Sequence, residues 1–210
     1  KPPFIIDIVY TWVGEKYSNN IRLSYNEELR YSIRSIYKYA PWINRIYILM
    51  NPPKKIPSWF NDDYKKLITI LDHNETFPNK KYLPNTNSYA IETTIHNIHG
   101  LSEHFIYLND DFFLGSPVKY TDFFTPNGKP IANKNLIKLI KSTKHEKSSL
   151  KIKYPMILSN SEKNFFYSHT PIPLLKSYIF KFHKEYPEYI SWVRSYKTRV
   201  SLGCTMCKKY

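Results

Sequence analysis

Cysteine is almost absent from this 210-residue chain, Cys204 and Cys207 being the only two, so a secreted fold stapled by several disulfides is excluded by count. Their C-x-x-C spacing is half of a four-ligand zinc site; with no second pair, and His183 the nearest upstream histidine, a structural zinc is not expected. Glycine is scarce too, five residues in all. Neither a Gly-rich nucleic-acid motif nor aromatics interleaved within a compact basic cluster occurs, and a nucleic-acid partner is not expected. Acids are the third shortage: 17 Asp and Glu stand against 31 Lys and Arg, a formal charge of +14. That balance suits anionic partners in general, nucleotides and phosphosugars among them. The lysines are nevertheless scattered from Lys1 to Lys209 amid heavy Ile, Asn and Tyr usage, a pattern that A/T-rich codons produce without selection. Long apolar runs are missing as well. Ile5 to Val13 is far short of the ~20 residues a membrane-spanning helix needs, no signal-peptide pattern is visible, and no membrane segment is expected. The sequence starts at Lys1 rather than Met, so targeting segments are expected outside it and the compartment stays open.

What is present fits an ordinary globular domain: 42% hydrophobic and 23% charged residues at a length suited to one core. Phe4 to Val13 is a β-branched and aromatic run expected to form a strand buried on both faces, with Asp7 as its one charge. Ser24-x-x-Glu27 predicts a capping box ahead of a helix carrying Leu29, Ile33, Ile36, Tyr37 and Ala40, closed by Pro41. Arg45 to Met50 and Leu67 to Leu71 read as two further strands around a loop punctuated by Pro52, Pro53 and Pro57. Ser88 is expected to cap a helix bearing Ile91, Ile95 and Ile98 and stopped by Gly100, and His104 to Leu108 reads as a fourth strand. Strands alternating with helices predict an α/β fold with a mostly parallel sheet flanked by helices. One domain is expected in three stretches: a core over 1–131, a variable, mobile insertion over 132–165, and a helical segment over 166–210 that Pro171 and Pro173 open.

Chemistry concentrates where the fourth strand ends, in Asn109-Asp110-Asp111. Two carboxylates at the end of an apolar strand are costly unless a cation or hydrogen bonds compensate them. Mg²⁺ or Mn²⁺, which shares itself between one or two protein carboxylates and substrate phosphates, would do so; local turn chemistry, which favours Asn and Asp, is the other explanation. In a parallel sheet ligands sit at the carboxyl ends of strands, which predicts that the Thr11–Glu15 turn and the Asn109–Asp111 turn share one rim. Asp7 is either salt-bridged in the core or aimed at that pocket. Arg30 and Arg34, one helical turn apart, would grip a pyrophosphate or simply face solvent. His169 in a polar stretch would take a proton from an attacking hydroxyl, and Arg194 would return to the same site, unless each merely lies at the surface.

In order and wording these stretches resemble the Stealth family of sugar-phosphate transferases, which includes bacterial capsular polysaccharide phosphotransferases. The matching text is Ile6-Asp-Ile-Val-Tyr-Thr-Trp-Val13, then Glu28-Leu-Arg-Tyr-Ser-Ile-Arg-Ser-Ile36, Asn87-Ser88 with Ala90-Ile-Glu92, and Leu101 through Asp111 to Phe124. A looser match covers Ser168-His-Thr-Pro171 and Trp192-Val-Arg194. The resemblance implies a glycosyltransferase-like, Rossmann-like fold that binds a nucleotide sugar, a UDP-sugar by preference. It also implies transfer of the sugar with its attached phosphate to a hydroxyl of an acceptor glycan, leaving a nucleoside monophosphate. By that likeness His169, Asp110 and Arg194 are expected to be catalytic, and Asp110 and Asp111 to hold Mg²⁺ or Mn²⁺. Asp7, Thr11, Trp12, Asn87, Ser88, Glu92 and Asn109 are expected to bind the nucleotide donor together with Arg30 and Arg34. Gly14-Glu15-Lys16 and Ser195 to Arg199 depart from the family pattern, and its fourth region is not recognisable before Tyr210. A conventional glycosyltransferase that releases the diphosphate, and an inactive binding domain, are the alternatives.

Overall fold

A computed structural model describes residues 1–14, 26–61, 66–131, 134–135, 166–167 and 170–198. Strands β1 (Ile6–Trp12), β2 (Ile46–Met50), β3 (Ile68–Asp72) and β4 (His104–Asn109) run parallel and lie in the order β3-β2-β1-β4. The expected α/β architecture with a mostly parallel sheet is therefore the one observed. Strand order reverses between β1 and β4, where Thr11 stands beside Asn109. In open α/β sheets the crevice at such a reversal, outside the carboxyl ends, is where ligands bind.

Side chains alternate along each strand, and the sheet accordingly buries two separate cores. One face carries Ile6, Ile8, Tyr10 and Trp12 of β1 and Ile106 and Leu108 of β4 against helix α1 (Glu28–Tyr39). The apolar stripe of α1 is Leu29, Ile33 and Ile36, spaced one turn apart, and each such side chain removed from water contributes about 1.5–3 kcal/mol. The other face carries Val9, Phe105 and Tyr107 against Ala90, Ile91, Ile95, Ile98 and Leu101.

Several boundaries differ from expectation for local reasons. Glu27 directly precedes α1 in the left-handed conformation, at φ 62°, and makes no side-chain cap; its carboxylate pairs with Arg30 at 2.7 Å instead. A capping box through Glu27 is thereby replaced, and Ser24 lies outside the described residues. A four-residue helix α2 (His73–Thr76), not anticipated, starts where Asp72 accepts from the Asn74 amide and Glu75 accepts from the Asp72 amide. Helix α3 (Ser88–Glu92) is capped by Asn87 rather than Ser88 and stops well before Gly100. Thr93 and Thr94 donate their hydroxyls to the carbonyls of Ala90 and Ile91, competing with continuation of the helix.

A two-stranded pairing joins β5 (Lys134–Asn135) to β6 (Phe166–Tyr167); most of the expected insertion lies outside the described residues. By chain contacts the described residues divide into two units, β5 and β6 belonging to the first and the described residues of 1–131 and 170–198 to the second. In this second unit Ile172–Leu175 is not helical but forms β7, an antiparallel edge strand on β4 in which Pro173 stands opposite Ile106. Proline is tolerated there because an edge strand leaves one side of its backbone unpaired. Helices α4 (Lys176–Glu185) and α5 (Pro187–Ser195) follow, the latter opened by Pro187.

Candidate active site

At the reversal of strand order, β1 delivers Thr11 and β4 delivers Asn109 side by side. Tyr107, two residues back and on the same face as Asn109, links them. Its hydroxyl lies 2.9 Å from Thr11 Oγ1, 3.1 Å from Glu92 Oε1 on α3, and 3.1 Å from the side-chain oxygen of Asn109. Burial, followed by the charge of Glu92, drives this phenol far above its ordinary pKa, so it is a neutral hydroxyl at any working pH. Three expected donor-binding residues, Thr11, Glu92 and Asn109, thus meet around one phenol that the sequence reading passed over. The signal was available: Phe105, Tyr107 and Asn109 share one face of β4, and a tyrosine in an apolar strand needs a partner for its hydroxyl.

Asp110 follows in the turn after β4, near enough to Tyr10 and to Glu28 at the start of α1 for their charges to interact. The loop that carries it is fixed to that helix by serines. Ser32 donates to the Phe112 carbonyl and lies 2.7 Å from the Tyr10 hydroxyl, while Ser35 Oγ accepts from the Leu114 amide at 3.0 Å. Asp110 is half-buried, and its carboxyl is pushed up to about 6 by burial, with Asp111 and Glu28 adding like charge and its own amide opposing. Asp111 is exposed beside it. Among the described residues no group of three or more His, Cys, Asp or Glu is arranged to hold a metal. The pair fits Mg²⁺ or Mn²⁺ only in the shared mode, in which two carboxylates supply hard oxygens and a substrate's phosphates supply the rest.

The other expected site residues divide. Trp12 is buried in the α1-side core, on the rim but turned inward. Asn87 is spent on architecture: its Oδ1 accepts from the Tyr89 amide at 3.2 Å and its Nδ2 donates to the Tyr196 carbonyl at 3.1 Å. Ser88 is the first residue of α3, part-buried behind it. Arg30 bonds to Glu27, and Arg34 is exposed with its guanidinium 5.6 Å from the Tyr31 ring centre. Asp7 is not brought to the rim. It lies near the amino end of β1, about 13 Å along the strand from Thr11, and accepts from Asn44 Nδ2 at 2.9 Å and the Ser102 amide at 2.8 Å. His169 lies outside the described residues.

Arg194 is 8% exposed, and its guanidinium donates to Thr93 through Nε to the hydroxyl at 2.8 Å and through a terminal nitrogen to the carbonyl at 2.9 Å. Thr93 follows Glu92, so α5 brings this arginine against the end of α3. Burial lowers the pKa of Arg194, and burial first, then its neighbouring positive groups, lowers His96 to about 4. Among the described residues no carboxylate forms an ion pair with Arg194, and the partners of its guanidinium there are the hydroxyl and carbonyl of Thr93.

Comparison with known proteins agrees with the motif text. The family description "Stealth protein CR2, conserved region 2" matches residues 22–132, just over half of the chain. An exopolysaccharide phosphotransferase of Streptomyces coelicolor is 41% identical over 143 residues, covering 60% of this chain and 24% of that protein. A capsular polysaccharide phosphotransferase of Haemophilus influenzae is 40% identical over 147 residues, covering 60% and 39%. One of Aeromonas hydrophila is 35% identical over 207 residues, covering 83% and 55%. The chain therefore spans between about a quarter and about half the length of these relatives. With the family description matched across both the helix that braces the acidic loop and the strand that ends in it, the chain belongs to the Stealth family.

Proposed function

We propose that this chain carries the donor-binding core of a phosphotransferase in polysaccharide synthesis. In this reading it moves a sugar-1-phosphate from a nucleoside diphosphate sugar, a UDP-sugar by preference, to a hydroxyl of an acceptor glycan. The acceptor oxygen attacks the β-phosphorus, the bond from that phosphorus to the bridging oxygen breaks, and nucleoside monophosphate leaves. The sugar's C–O bond is untouched, so its anomeric configuration is retained. Asp110 and Asp111 would hold Mg²⁺ or Mn²⁺, whose charge offsets that of the phosphates. Arg194 adds a buried cation to the same end of α3 that presents Glu92, and His169 is the candidate base.

The observation that carries the reading is Asp110 itself: a carboxyl pushed up to about 6, at the strand-order reversal and beside a second acid. A carboxyl held at such a cost in this position suits a site that a cation and diphosphate complete. The relatives' names support the coarser part of the reading, a phosphotransferase in polysaccharide synthesis. The deciding experiment incubates the protein with Mn²⁺, UDP-sugars and a panel of glycans and identifies the nucleotide left behind. UMP is expected; release of UDP alone would sink the proposal in favour of a conventional glycosyltransferase. His169→Ala should slow turnover by roughly 10²–10⁴-fold with donor binding kept, if that side chain is the base.

A further inference from the structure

Asp110 and Asp111 are the two central residues of a turn that the Phe112 amide closes on the Asn109 carbonyl at 3.3 Å. One end of that turn is β4. The other end is held by side chains of α1: Ser32 donates to the Phe112 carbonyl, and Ser35 Oγ accepts from the Leu114 amide at 3.0 Å. A carbonyl before Phe113 and an amide after it are the pair of groups that one residue of a parallel neighbouring strand would bond. Two serines one helical turn apart supply that donor and that acceptor instead, while Phe112 and Leu114 pack against the core of that face.

Proton counting fixes the direction of these bonds. A carbonyl only accepts, so the one proton of Ser32 goes to Phe112, and the Tyr10 hydroxyl, 2.7 Å from Ser32 Oγ, is the donor in their contact. Burial drives the Tyr10 phenol above its ordinary pKa, so it keeps the proton it donates. Ser35 gives its own proton to the Ser32 carbonyl at 2.6 Å, which leaves its oxygen to accept from Leu114. The line of donors runs from β1 through α1 to the acidic turn.

We infer that Ser32 and Ser35 are positioning residues, with Tyr10 orienting Ser32, and that they set where Asp110 and Asp111 stand at the end of β4. The helix, acting as a substitute strand, holds the far end of the turn as firmly as β4 holds the near end. This deepens the donor-site reading above, on which its consequence for a bound cation rests.

Two measurements separate the inference from that reading. Backbone amide exchange in the metal-free protein reads the tether alone. The Leu114 amide should be protected in the unaltered protein, and Ser35→Ala should speed its exchange roughly five- to tenfold while the amides of β4 exchange as before; Ser35→Thr, which keeps the hydroxyl, should restore the protection. A Leu114 amide that exchanges freely in the unaltered protein would overturn the inference whatever the protein binds. Mn²⁺ titrated in the presence of UDP, followed by electron paramagnetic resonance, reads the consequence. Ser32→Ala and Ser35→Ala should each weaken Mn²⁺ about tenfold, Tyr10→Phe less because Ser32 still has its proton for Phe112, and Ser35→Thr should bind as the parent does. Alanine variants that lose thermal stability yet bind Mn²⁺ unchanged would show that the serines only pack, and the inference would fall. A parent protein that takes up no Mn²⁺ with UDP would count against the donor-site reading, while Leu114 exchange still decides the tether. Ser32 is fully buried, and should Ser32→Ala fail to fold, the half-buried Ser35 carries both measurements.

Discussion

Two aspartates at opposite ends of one sheet show how differently burial acts on a carboxylate. Asp7 enters near the amino end of β1, 1% exposed, and receives one hydrogen bond on each oxygen, from Asn44 and from the Ser102 amide. Asp110 follows the carboxyl end of β4, less buried, yet pushed up to about 6 because burial and the acids around it outweigh the help of its own amide. The deeper carboxylate is the better satisfied. A carboxylate held by hydrogen bonds on both oxygens stabilises a fold, whereas one whose burial is opposed mainly by its own amide carries a cost that a cation would offset.

Substitutions can break this contrast. The largest effect is expected from Asp110→Asn on turnover, a loss of at least about 10²-fold with the far-ultraviolet circular dichroism unchanged; undiminished turnover would remove Asp110 from the chemistry. Next in size, Asp7→Asn should cost about 2–3 kcal/mol and lower Tm by roughly 5–10 °C, because an amide turns a donor toward either Asn44 Nδ2 or the Ser102 N–H. A Tm within a degree of the parent would mean that those two bonds are worth little.

The smallest effect has the most telling sign. Without divalent cations at pH 7.5, Asp110→Asn should stabilise the protein by about 1 kcal/mol after discounting for solvent access, raising Tm by ~2–4 °C. An acid whose folded pKa of about 6 exceeds its unfolded 3.8 carries its burial penalty in full above pH 6 and loses it below the unfolded value. The gain should therefore shrink as pH falls toward 4. A destabilised Asp110→Asn protein at pH 7.5 would show that this carboxylate is structural after all.

Much of the fold was legible because its signals are local. The runs at Ile6–Trp12, Ile46–Met50, Ile68–Asp72 and His104–Asn109 are apolar enough to announce strands, and their alternation with helices implies parallel pairing. The end of the sheet was not, because Ile172-Pro-Leu-Leu175 becomes a strand only through the edge that β4 leaves open, a tertiary fact that two prolines disguise. The acidic pair was readable from its position after a strand. The identity of Asp7's partners was not, since Asn44 and Ser102 lie 37 and 95 residues away. Tyr107 escaped for the same reason: a phenol that bridges β1, β4 and α3 looks in sequence like one more aromatic in a strand.

Pro173 has one more consequence. It stands in the outermost strand, and an imide nitrogen there deprives the open border of a donor that any incoming strand would require. On this side the sheet is therefore guarded against extension by a neighbour's backbone, a protection written into a single ring.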